Sequence, residues 1–508
     1  MLWLCENFAP FAVAAASSVV VWLFGGTRGG LLLPVVPWLV AILLETLLFF
    51  PQRHMGETTY AARERVWRGL KRDPLTWVAF LLFAILLIPF VNNGLCTSCD
   101  AKLIAEGLPA EPPIPVIPFC MDRMDHLNVV LWFALALSSL VVVRQALTRS
   151  GKRLVLELIV WNGVGVAVFG FVQSALGAPG PFWNTNPGTV YGTGEFFATF
   201  GYPNMAGDYF TTLFGLSLAL WRHTIDEYRS TYEAKDISST AIPPHRQFWK
   251  KHYFLIPAIV CFYAALNTLS RAAIILATTT CVIYFVHSFV SFVAHKRRAD
   301  RVRAAAWTLL GVGLVCTLAY VFAPKGMGRE IDTLDTVVVL DRVSGRGHDR
   351  VSHVATEIWK DHAFFGCGGW GYVHASLPKM DERERKTFHL ETGGINVHND
   401  YLQFLAEHGV VGFGAMVLLV VILLWPVMRV WRSLAREARF LKGHDAPPKP
   451  TQIFALPAPA FFILVACTAT LIHAFGDCPF RSPAVLTLFY VSLAAIPGFL
   501  PRLSDASK

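Results

Sequence analysis

The sequence carries little charge for its length. Of its 508 residues, 16% are Asp, Glu, Lys or Arg, whereas a typical soluble domain has about 25%. So few charged residues cannot cover the surfaces of the two or three soluble domains that the length would otherwise suggest. The hydrophobic content of 54% excludes an intrinsically disordered chain, and the length excludes a small disulfide-bonded scaffold. The composition therefore predicts a membrane protein.

Motifs that define several other classes of protein are missing as well. There is no P-loop and no internal repeat, and the glycine-rich segments 192–201 and 366–371 do not follow a strand, which excludes a dinucleotide site. Cys96 and Cys99 form a Cys-x-x-Cys pair, but no second pair or histidine cluster completes a zinc site. A structural disulfide that involves Cys120 is the expected alternative. The N-terminus lacks a basic segment and a cleavage site, so we expect its first apolar stretch to be retained.

Long apolar stretches are what the sequence has in place of these motifs. A helix needs about 20 apolar residues to cross a bilayer core of about 30 Å, and helices satisfy their own backbone hydrogen bonds there. Twelve stretches fit this requirement: 8–24, 31–50, 75–95, 127–143, 154–177, 205–221, 253–269, 272–294, 304–323, 410–428, 453–475 and 483–500. The sequence therefore predicts an all-α integral membrane protein with about twelve transmembrane helices.

The net charge of +9 is explained by orientation rather than by nucleic-acid binding. Of the 44 Lys and Arg residues, 29 lie in alternate loops. The positive-inside rule places these loops, and with them both termini, in the cytoplasm. They are the loops 51–74, 144–153, 222–252, 295–303, 429–450 and the tail 501–508.

One large loop between the ninth and tenth predicted helices faces outward in this topology. The sequence divides into transmembrane helices 1 to 9 (1–323), the loop (324–409), and helices 10 to 12 with a short tail (410–508). Periodic apolar residues predict one helix in the loop at 350–362 and a second from Asn396 to Gly409. Because the cytoplasmic loops are short and basic, we expect any chemistry in the outward loop or within the membrane.

His398 is the outward histidine best placed for chemistry, because it lies at the start of a helix that enters the membrane. Its imidazole could act as a general base near neutral pH. The alternative is a structural role, in which His398 caps the helix or bonds a carboxylate such as that of Asp400.

Arginines provide the second set of candidates. Arg271 follows Ser270 in a very short outward turn, where its charge either serves function or extends to the membrane interface. Arg342, Arg346 and Arg350 recur every four residues and could bind phosphate or diphosphate. The alternative is local pairing with acidic neighbours, namely Asp341, Asp349 and Glu357.

Together, four short segments resemble the O-antigen ligase and polymerase family. His398-Asn399-Asp400 and the residues up to Gly412 resemble its His-Asn…Leu…Glu-x-Gly…Gly signature. Residues 361–368 resemble its Asp-His-Pro-x-Phe-Gly-x-Gly turn, with Ala363 in place of proline. Ser270-Arg271-Ala272 is similar to the family's Ser-Arg-small motif, and Tyr202-Pro203-Asn204 to its Pro-Asn motif. The family's ligases also have twelve spans with a large outward loop between the ninth and tenth.

The resemblance implies an inverting glycosyl transfer from an undecaprenyl-diphosphate-linked glycan to lipid A–core, without a metal, nucleotide or other cofactor. It implies that His398 is the general base and that Arg271, with Arg346 or Arg350, binds the diphosphate. The remaining motif residues are expected to support the site: Asn204, Ser270, Asn399 and Asp400. The expected location is the bacterial inner membrane, with the active site facing the periplasm.

Two alternatives to a ligase remain at this point. A polymerase or a protein O-oligosaccharyltransferase of the same family would use the same donor chemistry with another acceptor. A transporter or flippase with twelve spans would be a different class, but it predicts two related halves, which the sequence does not show.

Overall fold

The computed structural model describes residues 6–26, 29–92, 114, 117–185, 196–228, 230, 244–293, 350–382, 384, 396–441 and 456–501, with isolated positions between 302 and 317. These residues form helices, short 3₁₀ turns and connecting loops, and no strand occurs among them. The predicted all-α class is therefore confirmed.

Most helices coincide with predicted apolar stretches. The helices are α1 Phe8–Trp22, α2 Gly29–Phe49, α3 Thr59–Arg72, α4 Pro74–Val91, α5 Arg123–Gln145, α6 Arg149–Ala175, α7 Pro203–Tyr228, α8 Pro244–His252, α9 Leu255–Asn267, α10 Arg271–Val293, α11 350–361, α12 Gly371–Ser376, α13 Asp400–Leu441, α14 Ala458–His473 and α15 Pro483–Ala495. Four of them, α3, α8, α11 and α12, lie in predicted loops.

Six helices of the described residues are long and apolar enough to cross a membrane. They lie in α2, α4, α5, α6, α10 and α13, and shorter apolar helices include α1, α9, α14 and α15. Large apolar side chains are exposed on several of them, for example Trp38 and Phe80, as expected for a surface that faces lipid. The count of twelve spans stays a prediction, and the stretch 304–323 lies mostly outside the described residues.

Polar caps fix where two of the central helices begin. The carboxylate of Asp122 accepts hydrogen bonds from the backbone N–H groups of Met124 and Asp125 at the start of α5, both at 2.8 Å. The Thr148 hydroxyl accepts the N–H of Gly151 at the start of α6. Such caps satisfy donors that the first turn of a helix leaves without an intrahelical partner.

The buried centre of the bundle is formed by α7, α14 and α15. Every residue of α15 is buried, and so is the stretch of α7 from Met205 to Leu220. Small residues allow the helices to approach closely: a Cβ added to Gly215 would lie 2.7 Å from the Cβ of Ala466. Close approach at small residues is typical of helix packing in membranes, where burial of apolar surface gives little driving force.

The large loop packs as a separate small cluster at the end of α13. The helix predicted at 350–362 is present as α11, and its apolar face, which includes Val354 and Ile358, is buried. This face packs with Tyr372 of α12 and with Val397 and Ala406, which flank the start of α13. The cluster therefore joins the two halves of the described loop.

Candidate functional site

The glycine-rich turn after α11 lies directly against the first turns of α13. The N–H groups of Cys367 and Gly368 donate to the carbonyl oxygens of Ala406 and Glu407, at 3.1 and 2.8 Å. Gly366 has φ +72°, and a Cβ there would lie 2.2 Å from the Glu407 carbonyl carbon, so only glycine fits. The turn at 361–368 and the motif that begins at His398, which lie 30 residues apart in the sequence, thus form one structural unit.

Gly409 interrupts α13 as the sequence predicts, with φ +62° and ψ −173°. Beyond it, the N–H groups of Val410 and Val411 donate to the carbonyls of Ala363 and Phe364 instead of to the preceding helical turn. The turn after α11 therefore supplies the acceptors that the interruption of the helix removes.

His398 lies two residues before α13, not inside it, and has φ +54°. The cap of the helix is Asn399, whose side-chain oxygen accepts the N–H of Leu402 at 3.1 Å. Asn399 therefore stabilises the helix end that carries His398. In the structure, the Asn399 side chain acts as a helix cap.

The imidazole of His398 pairs with a carboxylate from the loop between α14 and α15. His398 Nδ1 lies 3.2 Å from Oδ1 of Asp477, and the side chains are 36% and 6% exposed, respectively. The Tyr202 hydroxyl lies 3.2 Å from both carboxylate oxygens, and the Asn204 amide donates to Oδ2. The predicted Pro-Asn and His-Asn motifs thus meet at Asp477.

The pKa of the Asp477 carboxyl is set by two opposing effects. Burial acts to raise this pKa, but the hydrogen bond and charge of His398, together with the backbone N–H of Cys478, lower it to about 2. Asp477 is consequently a carboxylate at neutral pH. Burial and the same carboxylate raise the pKa of the Tyr202 hydroxyl, which therefore stays protonated and can donate.

The turn that carries Ser270 and Arg271 lies against the first turns of α7. A Cβ on Gly207 would lie 2.5 Å from the Cβ of Ala273 and 3.0 Å from that of Ser270. Ser270 is buried, whereas Arg271, the first residue of α10, is exposed. The close contact at Gly207 places this turn on the helix that carries Asn204, one turn further along.

Arg350 pairs with Glu384, an acidic residue that the sequence analysis did not name, and the charge of Glu357 also acts on it, whereas Asp341 and Asp349 lie outside the described residues. Its Nε and Nη2 bond both carboxylate oxygens of Glu384, and Nη2 also donates to the Lys379 carbonyl at 2.7 Å. This pairing raises the pKa of Arg350 and lowers that of Glu384. Neither Glu384 nor Lys379 belongs to the His398 cluster. Arg342 and Arg346 lie outside the described residues, so their predicted contact with diphosphate stays a prediction.

The loop 474–482 also carries a buried cation, Arg481, which is 1% exposed. Its Nη1 donates to Oε2 of Glu407 at 2.8 Å, and its Nε lies 3.6 Å from Oδ1 of Asp400. Asp400 accepts the Phe480 N–H at 2.8 Å, and its own N–H donates to the Ala474 carbonyl. Asp400 and Arg481 therefore connect the loop to α13, and both are fully buried.

His473 and Asp208 form a third pair, which connects α14 with α7. His473, at the end of α14, donates or accepts at Nδ1 with Oδ1 of Asp208 at 3.0 Å, and Thr470 donates to Oδ2. These contacts join α14 to α7 and fix the distance between Asn204 and the loop that carries Asp477. Asp208 is thus an interhelical hydrogen-bonding residue.

Asp477 and Arg481 are the residues that sequence reasoning missed. The signal available was the seven-residue loop 476–482, which holds an aspartate, a cysteine and an arginine between two apolar stretches. Such a density of polar groups at the end of a membrane helix indicates function or buried pairing. Cys96 and Cys99 lie outside the described residues, so the predicted disulfide with Cys120 stays a prediction, and the Cys120 thiol also donates to the Pro89 carbonyl oxygen at 3.1 Å.

The fold and this site define an all-helical membrane protein with a polar, partly open cluster at the ends of its helices. Residues 256–417 match the family model of the O-antigen ligases, which supports the resemblance of the four sequence motifs to this family. Members of this family are glycosyltransferase-like enzymes with lipid-linked glycan substrates. The match includes Arg271 and His398, whereas Asn204 and Asp477 lie outside it. No curated protein matches the sequence closely enough to count as a relative.

Proposed function

We propose that this protein transfers a glycan from undecaprenyl diphosphate to lipid A–core at the periplasmic face of the bacterial inner membrane, with both termini in the cytoplasm. The observation that supports this function best is the partly exposed His398 with Nδ1 against a buried, ionised Asp477. The family match supports a lipid-linked glycan as the donor.

His398 is the general base of the proposed reaction. Because the Asp477 carboxylate accepts a hydrogen bond at Nδ1, the ring proton resides there and Nε2 is the nitrogen that can accept another. The acceptor hydroxyl attacks the anomeric carbon and gives its proton to Nε2. The bond from that carbon to the diphosphate oxygen breaks, and the electron pair leaves with the diphosphate.

Asp477, Tyr202 and Asn204 are positioning residues in this scheme. Tyr202 and Asn204 contact both oxygens of the carboxylate, so Asp477 has little freedom to turn away from His398. The negative charge of Asp477 also stabilises the imidazolium that forms when His398 accepts a proton. Because the Asp477 carboxylate is already held in place, the site does not have to reorganise around the imidazolium when it forms.

Arg271 binds the departing diphosphate in the same scheme. Departure of the diphosphate concentrates negative charge on its oxygens, and a guanidinium group can bond two of them at once. Arg271 is exposed at the start of α10, and its turn is fixed to α7 through Gly207. It therefore lies on the same structural unit as Asn204, which contacts Asp477.

An apolar groove adjoins Asp400 and suits a short part of the donor's lipid chain. The groove has a volume of about 160 Å³, begins beside Asp400 and Phe480, and continues between α13 and α15. Val417 and Val421 line it and are about half exposed, so it opens to the side of the bundle. Filling it with Val420→Trp should raise KM for a long polyprenyl donor more than for a short-chain donor.

Reconstituted transfer onto defined acceptors tests the function directly. Purified protein receives a lipid-linked glycan together with lipid A–core, with a second lipid-linked glycan, or with an acceptor protein. We expect a product on lipid A–core that wild type forms and His398→Ala does not. Extension of the lipid-linked glycan would instead identify a polymerase, and a glycosylated protein would identify an oligosaccharyltransferase. Transfer to none of the acceptors would contradict the proposal.

A further inference from the structure

Cys478 places a thiol next to the His398–Asp477 pair. Its Sγ lies 3.3 Å from Oδ1 of Asp477, the same oxygen that lies 3.2 Å from Nδ1 of His398. The three donor atoms lie within 4.8 Å of one another. In a tetrahedral zinc site with bond lengths of about 2.0–2.3 Å, neighbouring donors are separated by roughly 3.3–3.8 Å. Small side-chain movements would therefore bring all three onto one ion.

The kind of ion follows from the donor set. One nitrogen, one sulfur and one carboxylate oxygen are ligands that zinc and cobalt accept, whereas Mg²⁺ and Ca²⁺ require oxygen ligands. Asp477 is already ionised. Burial raises the pKa of the Cys478 thiol, so binding an ion must displace the thiol proton to solvent.

We infer that His398, Asp477 and Cys478 form a binding site for a divalent transition-metal ion of the zinc class, and that this ion inhibits transfer. Water completes the tetrahedron. The inhibitory part rests on the proposed function, because it requires His398 to be the general base. When an ion binds Nδ1, the ring proton must move from Nδ1 to Nε2, so the imidazole can no longer accept the proton of the acceptor hydroxyl.

The accessibility of the three side chains fits this inference. Asp477 and Cys478 are buried, whereas the His398 side chain is 36% exposed. The ion consequently enters from the side of His398, which is also the side from which the acceptor must approach. The ion acts as an inhibitor here and supplies no chemistry to the reaction.

Cobalt is the probe for binding, because a cobalt–thiolate bond absorbs in the near ultraviolet and shows that cysteine is a ligand. We expect Co²⁺ added to the purified full-length protein to produce this absorption and Zn²⁺ to remove it. The absorption should be lost in Cys478→Ser and retained in Cys467→Ser, a matched control. Cys467 is buried on α14 but does not belong to the cluster. Melting curves in the same detergent verify that each variant is folded, and His398→Gln is a second variant that should weaken binding.

Inhibition is measured separately on the same preparations. We expect Zn²⁺ to inhibit wild type over the range in which it displaces Co²⁺. The transfer rate of Cys478→Ser is compared with the rate of the same variant in the presence of a chelator. The zinc concentration that halves this rate should be more than about tenfold higher than for wild type. No absorption that depends on Cys478 would overturn the site and leave the proposed function intact. Binding through Cys478 with transfer at the full rate would overturn inhibition and the assignment of His398 as the base.

Discussion

Two charged clusters at the same end of the bundle share one loop but have opposite exposure. Asp477 pairs with His398, which is 36% exposed, whereas Arg481 pairs with Glu407 and Asp400 in full burial. A buried ion pair is costly to form and more costly to break, whereas a partly exposed pair can contact a substrate. The difference in exposure favours the His398 cluster for the proposed chemistry and the Arg481 cluster for positioning of the loop.

Removal of His398 should have the largest effect on transfer. We expect His398→Ala to lower kcat by about 10²–10⁴-fold, which is what a general base contributes. His374→Ala is the matched control, because His374 also pairs with an outer aspartate, Asp125, at 3.1 Å but lies outside the cluster. Equal activity in both variants, measured in reconstituted transfer, would remove His398 from the mechanism.

Breaking the buried cluster should instead affect stability. Arg481→Met leaves the buried Glu407 carboxylate without its cation, and we expect a loss of about 3–5 kcal/mol in the free energy of unfolding. The Trp370 and Phe404 rings that flank the guanidinium can pack against methionine. The measurement is the melting temperature in one detergent, and the double variant with Glu407→Gln should recover part of the loss.

The surface pair of Arg350 and Glu384 is the control for that experiment. Both side chains are about one-third exposed, so Arg350→Met should cost at most about 1 kcal/mol. A melting temperature for Arg481→Met no lower than that of Arg350→Met would contradict the structural role assigned to the buried cluster. Retained transfer in Arg350→Met would also count against its predicted contact with diphosphate.

Asp477→Asn tests whether the carboxylate orients the imidazole. An amide can donate to Nδ1, which would leave the proton on Nε2, the wrong nitrogen for a base. We expect kcat to fall by about 10²-fold or more, with a smaller change in KM. A rise in KM with kcat preserved would show that Asp477 acts on the substrate rather than through His398.

The low pKa of Asp477 adds a dependence on pH. Since its folded pKa of about 2 lies below an ordinary value of about 3.9, its contribution to stability is complete above that ordinary value. The contribution is lost as pH falls through about 2. Below about pH 4 the difference in melting temperature between wild type and Asp477→Asn should narrow, because the wild-type carboxylate becomes protonated. A difference that stays constant from about pH 5 to about pH 2 would contradict the low pKa of Asp477.

Arg271→Lys distinguishes a bidentate contact from a point charge. Lysine keeps the charge but loses the second hydrogen bond, which is worth about 1.5–3 kcal/mol when charged, so kcat/KM for the donor should fall roughly 10- to 100-fold. The stability should not change, because Arg271 is exposed. Wild-type kcat/KM in this variant would exclude diphosphate binding by the guanidinium fork.

The sequence was informative where function depends on local pattern and uninformative where it depends on pairing across the chain. Apolar stretches predicted the helices, and Gly409 predicted the interruption in α13. The motifs predicted that Asn204 and His398 belong to one site. Their common partner Asp477 is 79 residues from His398 and 273 from Asn204, and no periodicity encodes such a pairing. Arg350 could be anticipated as a paired residue, but not with Glu384, because many acidic residues lie in the same loop.

Asn399→Ala should have the smallest effect and bears on how the open cluster is positioned. The Asn399 side chain caps α13, and loss of an N-cap costs about 1 kcal/mol. We expect a slightly lower melting temperature and a kcat within a few-fold of wild type, with Asn399→Ser, which can also cap, restoring both. If Asn399→Ala instead lost kcat like His398→Ala while Asn399→Ser failed to restore it, Asn399 would contact the substrate. The boundary between the catalytic cluster and its support would then lie one residue further along the chain.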